Sequence, residues 1–233
     1  MLQSLVEALP SSTQQKKVKE YELCTRYIQP MFQSLFDSDE DSRMMFKWIN
    51  TITFSNNNNH DHPTATKNRP DGCIENDRKT IGFIEVKTID DAANHRKINA
   101  DLYRLGIFGK TALSQYGLNN TFQVMAIGTN LRFYICQNVD GVCMMTELSN
   151  VRIPTSIDEL LQLVPYFDLL YNVVEVIYIN CYSKDNFSTT TITTTAAADA
   201  DCSNITLEPK VIKAITNKTV DRSRYNCFYH PCH

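Results

Sequence analysis

Apolar residues recur at three- and four-residue steps between residues 14 and 36, a pattern that predicts an amphipathic helix. Pro30 falls inside this pattern and predicts a kink or a restart of the helix. Residues 43–54 fit a short helix, a strand, or one followed by the other. A polar loop that contains a run of asparagines then occupies residues 55–68.

Two short segments with strand character follow, RPDGCI (69–74) and IGFIEVKT (81–88). A polar turn separates them, so together they predict a β-hairpin. Because alternate side chains of a strand share a face, residues 81–88 divide into two sets. One face of the second strand is predicted to carry Ile81, Phe83, Glu85 and Lys87.

The rest of the apolar pattern predicts one more helix, three strands and a last helix. The first helix starts after Asp90-Asp91, either of which can cap it, and Gly106 and Gly109 are predicted to weaken or divide it. The further predicted elements are strands at 121–128, 131–137 and 142–148, and a helix from Ser156 toward residue 180. The fold class is therefore α/β.

Composition divides the 233 residues into two parts. Residues 14–180 alternate apolar and polar positions and are predicted to form one α/β domain. Residues 181–233 open on a stretch rich in Thr and Ala that has almost nothing to bury. This part is predicted to be a linker and a weakly structured tail.

Charge and hydropathy limit the partners and the location. The net charge is -3, so contact with nucleic acid requires a local basic patch. We expect an intracellular protein, in the cytoplasm or nucleus, because residues 1–10 lack the pattern of a signal peptide. Its 8 Cys are therefore expected to be mostly free thiols. No membrane span is expected, since polar residues interrupt the apolar stretch 160–179.

Glu85 and Lys87 place two charges on an otherwise apolar strand. Burying either charge is costly unless it has a partner. Asp71, on the preceding strand, can lie opposite them. Two facing carboxylates repel each other, and a divalent cation such as Mg²⁺ relieves that repulsion. The simpler interpretation is a cross-strand ion pair of Glu85 and Lys87 on an exposed sheet face.

Pro70-Asp71 followed by Glu85-Val86-Lys87 resembles the PD-(D/E)xK motif of restriction-endonuclease-like nucleases. The order of helix, hairpin, helix and strand over residues 14–128 is also similar to that family. The resemblance implies a restriction-endonuclease-like core, with a central mixed sheet flanked by helices, to which this chain adds C-terminal strands and a helix. Residues 22–37 and 101–110 also resemble uncharacterised fungal proteins of this type, some of which carry a kinase-like domain.

The resemblance implies a role for each matching residue. Asp71, Glu85 and the carbonyl of Val86 would bind Mg²⁺ or Mn²⁺, and Lys87 would orient or help to deprotonate the attacking water and steady the phosphate charge. An acidic residue from the first helix completes many such sites. Glu22 is the first candidate here and Glu20 the second. Arg96 and Arg104, on the helix after the motif, are candidate phosphate contacts.

Two functions follow from these residues. The first is a metal-dependent nuclease that hydrolyses phosphodiester bonds in DNA or RNA. The second is a catalytically silent relative that binds a partner protein or regulates a kinase-like domain. A separate candidate zinc site lies at Cys227, His230, Cys232 and His233, although its spacing is not that of a standard finger. Phosphate-loop, dinucleotide, serine-hydrolase and thioredoxin motifs are absent from the sequence.

Overall fold

A computed structural model describes residues 1–14, 17–37, 44–49, 69–139 and 141–181. Over these ranges the chain forms a six-stranded mixed β-sheet flanked by helices, which confirms the predicted α/β class with a central mixed sheet. Apart from Cys181, the predicted tail and its Cys/His cluster lie outside the described residues. So does the polar loop 55–68.

The strands lie in the sheet in the order of the sequence. Neighbouring strands are antiparallel except β3 and β4, which are parallel. For the segment 43–54, alternating burial of residues 44–47 identifies the described part as a strand. The bounds are β1 (Met44–Trp48), β2 (Gly72–Asn76), β3 (Lys79–Lys87), β4 (Asn120–Ile127), β5 (Asn130–Val139) and β6 (Val142–Arg152).

Five α-helices accompany the sheet in the described ranges. A π-helical segment, Leu23–Ile28, joins α2 to α3, and 3₁₀ turns occupy Ile89–Asp91 and Ile157–Tyr166. The helices are α1 (Leu2–Ala8), α2 (Glu20–Glu22), α3 (Gln29–Phe36), α4 (His95–Tyr116) and α5 (Phe167–Cys181).

Proline sets the ends of two of these helices. The helix predicted from residue 14 begins only at Glu20, and Pro30 lies in the first turn of α3, directly after the π-helical segment. Proline has no N–H and its ring displaces the carbonyl four residues earlier, so it suits a first turn. The helix predicted from Ser156 likewise starts as a 3₁₀ helix, which contains Pro165, and the α-helix α5 begins only after it, at Phe167.

The sheet has a packed layer on each face. On one face, α1, α3 and α5 bury a large cluster that includes stacked Phe122 and Phe133, whose ring centroids are 5.8 Å apart. On the other face, Leu105 and Phe108 of α4 pack against Phe83. Leu5 of α1 belongs to the larger cluster although it precedes the predicted domain boundary at residue 14.

A β-bulge in β3 corrects the predicted alternation of its side chains. Pairing with β2 passes from Gly82 opposite Ile74 to Thr80 opposite Glu75, which leaves Ile81 as an extra residue. An extra residue reverses the side on which the strand's next side chain points. Ile81 therefore packs in the larger cluster, whereas Phe83 faces α4.

Helix α4 differs from the prediction at its start and in its middle. Its cap is Asn94, whose side chain accepts a hydrogen bond from the Lys97 N–H at 3.2 Å, while Asp90 and Asp91 belong to the preceding 3₁₀ turn. Gly106 and Gly109 do not divide it, because it continues from His95 to Tyr116.

One span, Ile157–Cys181, is long and apolar enough to cross a membrane when judged only by length and composition, and it is the single such span in the described residues. One side of this span nevertheless packs against the sheet. Leu163, Leu170, Val173 and Ile177 are all buried in the larger cluster.

The two glycines of α4 predict opposite effects of the same substitution. A Cβ at Gly106 meets nothing within 4 Å, so Gly106→Ala is expected to raise the free energy of unfolding by about 0.5–1 kcal/mol through helix propensity. A Cβ at Gly109 would overlap the side-chain amide of Gln123 and lie 2.9 Å from Thr121 Oγ1. Gly109→Ala is therefore expected to lower it by roughly 1–3 kcal/mol.

Urea unfolding of the two variants and the wild type measures both effects. The two substitutions are chemically identical, so each serves as the control for the other. Equal shifts of the same sign would contradict the close approach of α4 to β4 at Gly109.

Candidate metal and phosphate site

The candidate site is centred on the C-terminal half of β3, which is an interior strand of the sheet. The side chains of Glu85 and Lys87 are 1% and 8% exposed. Both lie beyond the bulge, on the face that α4 covers, and the period of two is unbroken from Phe83 to Lys87. The exposed cross-strand ion pair is thereby excluded for Glu85 and Lys87, because both residues are buried.

Three hydrogen bonds hold Asp71 in place, two of them to β3 and one to Ile49, which follows β1. Its backbone N–H donates to the Ile84 carbonyl at 2.9 Å, and its own carbonyl accepts from the Ile49 N–H at 2.9 Å. Its side-chain Oδ2 accepts from the Val86 N–H at 2.7 Å. Asp71 thus immediately precedes β2, and its carboxylate is fixed against the strand that carries Glu85 and Lys87.

Lys87 is the point at which the predicted motif residues meet. Its Nζ lies 3.6 Å from Glu85 Oε2 and 3.9 Å from Asp71 Oδ2. It also donates a hydrogen bond to the Val86 carbonyl at 2.8 Å. The structure therefore brings together all four residues of the predicted catalytic and metal-binding motif.

Helix α4 adds two charged residues to this cluster. Asp101 Oδ2 lies 3.2 Å from Lys87 Nζ, and its Oδ1 lies 2.7 Å from Arg104 Nη1. Arg104 Nη2 lies 3.0 Å from Glu85 Oε1 and donates to the Arg69 carbonyl at 3.0 Å. Arg104, which was predicted to contact phosphate, is thus paired with two carboxylates. We call the group of five charged side chains the Lys87 cluster; its members are Asp71, Glu85, Lys87, Asp101 and Arg104.

Asp101 is the member of the cluster that the sequence interpretation missed. The buried stripe of α4 runs through Asp101, Leu105, Phe108 and Ala112 at helical spacing. A carboxylate on an apolar stripe is the same kind of signal as Glu85 on an apolar strand. That signal was available in the sequence.

Burial and charge act in opposite directions on the two groups of β3. Burial, followed by the nearby Asp71 carboxylate, raises the pKa of Glu85 to about 8, against the lowering effect of Arg104 and Lys87. Burial alone would lower the pKa of Lys87, but the carboxylates of Asp71, Asp101 and Glu85 raise it above its usual value. At neutral pH, Glu85 is therefore mainly protonated and Lys87 is charged.

Three buried oxygens in the cluster accept no hydrogen bond from the described residues: Glu85 Oε1, Glu85 Oε2 and Asp101 Oδ2. The cations of Arg104 and Lys87 pair with these oxygens at 3.0 Å (Arg104 to Glu85 Oε1), 3.2 Å (Lys87 to Asp101 Oδ2) and 3.6 Å (Lys87 to Glu85 Oε2). Unsatisfied buried carboxylate oxygens are suitable ligands for a hard cation.

A divalent cation fits this set of donors under one condition. Within the described ranges, no three Asp, Glu, His or Cys side chains converge closely enough to hold a metal by themselves. Mg²⁺ commonly uses only one or two carboxylates and completes its shell with water and phosphate oxygens. Asp71, Glu85 and the Val86 carbonyl are suitable for such a partial set, provided that Glu85 loses its proton.

Two predicted site residues are not brought to the cluster. Glu22 lies 3.2 Å from Arg26, four residues later on the same helix. Arg96 is exposed in the first turn of α4, and in the described part of the chain it makes no ion pair or hydrogen bond with the cluster.

Glu20, the second candidate from the first helix, influences Cys24 together with residues of the Lys87 cluster. Burial, and then the carboxylates of Asp71 and Glu20, raise the pKa of Cys24 to about 12, and Lys87 opposes this rise. Cys24, in the π-helical segment that follows α2, is therefore near enough to the cluster for Asp71 and Lys87 to influence its pKa.

No family model matches the chain, and no curated protein or solved structure matches it at a significant level. The function is therefore inferred from the residues and the geometry of the site.

The protonation of Glu85 predicts how stability depends on pH. An acid whose pKa is raised from 4.5 to about 8 on folding binds its proton more tightly in the folded state. The free energy of unfolding therefore falls as pH rises through this window, by about 1.4 kcal/mol per pH unit for one proton. Glu85→Gln is expected to remove this slope.

Urea unfolding at several pH values between 4.5 and about 8 measures the slope. Glu175→Gln, at an exposed position of α5, is the control and is expected to keep the wild-type slope. A Glu85→Gln variant with the wild-type slope would show that Glu85 is ionised in the folded protein.

Proposed function

We propose that this chain is a metal-dependent nuclease that hydrolyses phosphodiester bonds in DNA or RNA. The observation that carries the proposal is the buried carboxylate of Glu85, which lies beside Asp71 and Lys87 and has two oxygens without hydrogen bonds. A buried acid in this state is costly for a purely structural site. A cation and a phosphate group would supply the missing partners.

The order of elements supports the same proposal. A helical segment precedes the antiparallel strands β1, β2 and β3, α4 follows, and β4 then pairs parallel with β3. This order resembles the core of PD-(D/E)xK nucleases; Asp71 lies directly before β2, and Glu85, Val86 and Lys87 lie on β3. We therefore propose a restriction-endonuclease-like core, to which β5, β6 and α5 are additions.

In the proposed site, Asp71, Glu85 and the Val86 carbonyl would hold Mg²⁺ or Mn²⁺. When bound, such a cation lowers the pKa of water and neutralises charge that develops on phosphate. Asp71 is already fixed by the Val86 N–H, so its position costs no reorganisation when a ligand arrives.

Lys87 would orient the attacking water and stabilise the negative charge of the phosphate. Its raised pKa keeps it protonated at neutral pH, so it acts here as an electrostatic group and hydrogen-bond donor. Asp101 positions the ammonium group from 3.2 Å away. Arg104 positions Glu85 in the same way, from 3.0 Å.

The second candidate function is a catalytically silent binding or regulatory module, for a partner protein or a kinase-like domain. One observation favours it: Lys87 and Arg104 already bring two positive charges to the three carboxylates of the cluster. With Glu85 protonated, the cluster is neutral without a cation. Metal binding and cleavage together separate the two functions.

A cleavage assay on mixed DNA and RNA substrates with Mg²⁺ or Mn²⁺ tests the nuclease. Lys87→Met removes the electrostatic group and is expected to lower the cleavage rate by about 10²-fold or more. Lys79→Met, an exposed position on the same strand, is the matched control and is expected to retain the wild-type rate. A chelator is expected to abolish cleavage by wild type.

Circular dichroism and urea unfolding of each variant show whether a lost rate reflects lost folding. Cleavage that persists in a folded Lys87→Met variant would contradict the proposed role of Lys87. Metal binding without cleavage of either nucleic acid would favour the silent module.

A further inference from the structure

Two cysteines on neighbouring strands converge outside the Lys87 cluster. Cys136 lies on β5 and Cys143 on β6, and their sulfur atoms are 2.8 Å apart. Cys136 is paired with Met145, and Cys143 with Asn138, so the two cysteines are diagonal neighbours across the strand pair. None of the five cysteines that the structure describes is disulfide-bonded.

The two sulfurs differ in access and in acidity. Cys136 is buried, and the Cβ direction of Gly109 in α4 ends 3.2 Å from its Cβ, whereas Cys143 is partly exposed. The hydrogen bond from Cys136 lowers the pKa of Cys143; burial opposes this effect and the positive charge of Lys110 adds to it. Because the thiolate is the nucleophile, Cys143 is the reactive member and Cys136 the partner.

The other cysteines provide a contrast. Burial raises the pKa of Cys24, Cys73 and Cys181 to about 12 in each case. These three thiols are expected to be inert at neutral pH. In the described part of the chain, a lowered pKa, partial exposure and a second sulfur within reach coincide at Cys143 alone.

We propose that Cys136 and Cys143 form an oxidation site for peroxide, which closes to a reversible disulfide. The proposal is independent of the nuclease function, since neither cysteine belongs to the Lys87 cluster. A bond of about 2.05 Å requires the sulfurs to approach by less than an ångström. The pair lies near the end of the β5–β6 hairpin, where Val139 faces Val142.

The reaction balances with hydrogen peroxide as the oxidant. The Cys143 thiolate attacks one peroxide oxygen and the O–O bond breaks, giving a sulfenic acid and hydroxide, which takes up the proton that Cys143 released. The Cys136 sulfur then attacks the sulfenic sulfur, the S–O bond breaks, and the hydroxyl leaves as water with the Cys136 proton. Two thiols have lost two electrons, and one peroxide has become two waters.

The disulfide would contribute little as a structural staple. It closes only the short segment from Cys136 to Cys143, and a shorter loop removes less entropy from the unfolded chain. A reductant with two thiols would reopen it by exchange, returning two electrons. Reversible oxidation is therefore a better explanation of the pair than permanent cross-linking.

Mass spectrometry of the full chain tests the proposal directly. Reduced protein is treated with hydrogen peroxide, alkylated with iodoacetamide and digested with trypsin. Both cysteines fall in the peptide 133–152, which contains no internal Lys or Arg. We expect this peptide to lose two hydrogens and to escape alkylation, and dithiothreitol to restore both thiols.

Two further readouts use the same samples. Without peroxide, Cys143 is expected to alkylate at neutral pH about tenfold faster than Cys24 or more, because of its larger thiolate fraction. In Cys136→Ser, peroxide is expected to leave a sulfenic acid on Cys143 that dimedone labels, and Cys143→Ser is expected to lose that label.

The wild-type measurements alone test the proposed oxidation of Cys136 and Cys143, even if a variant fails to fold. Alkylation of Cys143 and Cys24 at equal rates would overturn the proposal. So would a peroxide-induced bond from Cys143 to Cys202, Cys227 or Cys232 in place of Cys136, which peptide mapping distinguishes by the mass of the linked pair.

Discussion

The burial of Glu85 beside a second carboxylate is the constraint on which the site depends. Its strand is covered on both faces, so its charge has no access to water. The Asp71 carboxylate increases the free-energy cost of a charge on Glu85, and the cations of Arg104 and Lys87 reduce that cost. Because one of these cations comes from the same strand and the other from α4, the cluster also fixes where the helix lies on the sheet. Architecture and electrostatics are therefore coupled at this point.

A proton and a metal ion are alternative solutions to the same excess of negative charge. With all groups charged, three carboxylates face two cations, and the cluster carries one net negative charge. A proton on Glu85 neutralises this charge, and burial, followed by the Asp71 carboxylate, raises the pKa of Glu85 and so favours that proton. A divalent cation would displace that proton. The protonated form of Glu85 that stabilises the metal-free fold is therefore the form that does not bind metal.

The sequence predicted the parts of the site that depend on local periodicity. Glu85 and Lys87 share a face because the alternation from Phe83 onward is regular, whereas the mixed sheet was expected from the family resemblance and not from periodicity. The bulge at Ile81 depends on pairing with β2, and the need for glycine at residue 109 depends on contact with β4, so neither has a local signal. Glu22 pairs with Arg26, one turn away, and its role in the site stays a prediction. Asp101 had a signal, a carboxylate on a buried stripe, but its partner lies on another element.

Calorimetric titration of the wild-type chain with Mn²⁺ at pH 7, in two buffers of different ionisation enthalpy, tests the central claim most directly. If Glu85 is a ligand with a pKa of about 8, binding must release close to one proton for each metal ion bound. We expect that release in wild type, and no metal binding in Glu85→Gln. Metal binding without proton release would contradict the claim that the cation takes the place of the Glu85 proton, and the absence of binding in wild type would contradict the metal site itself.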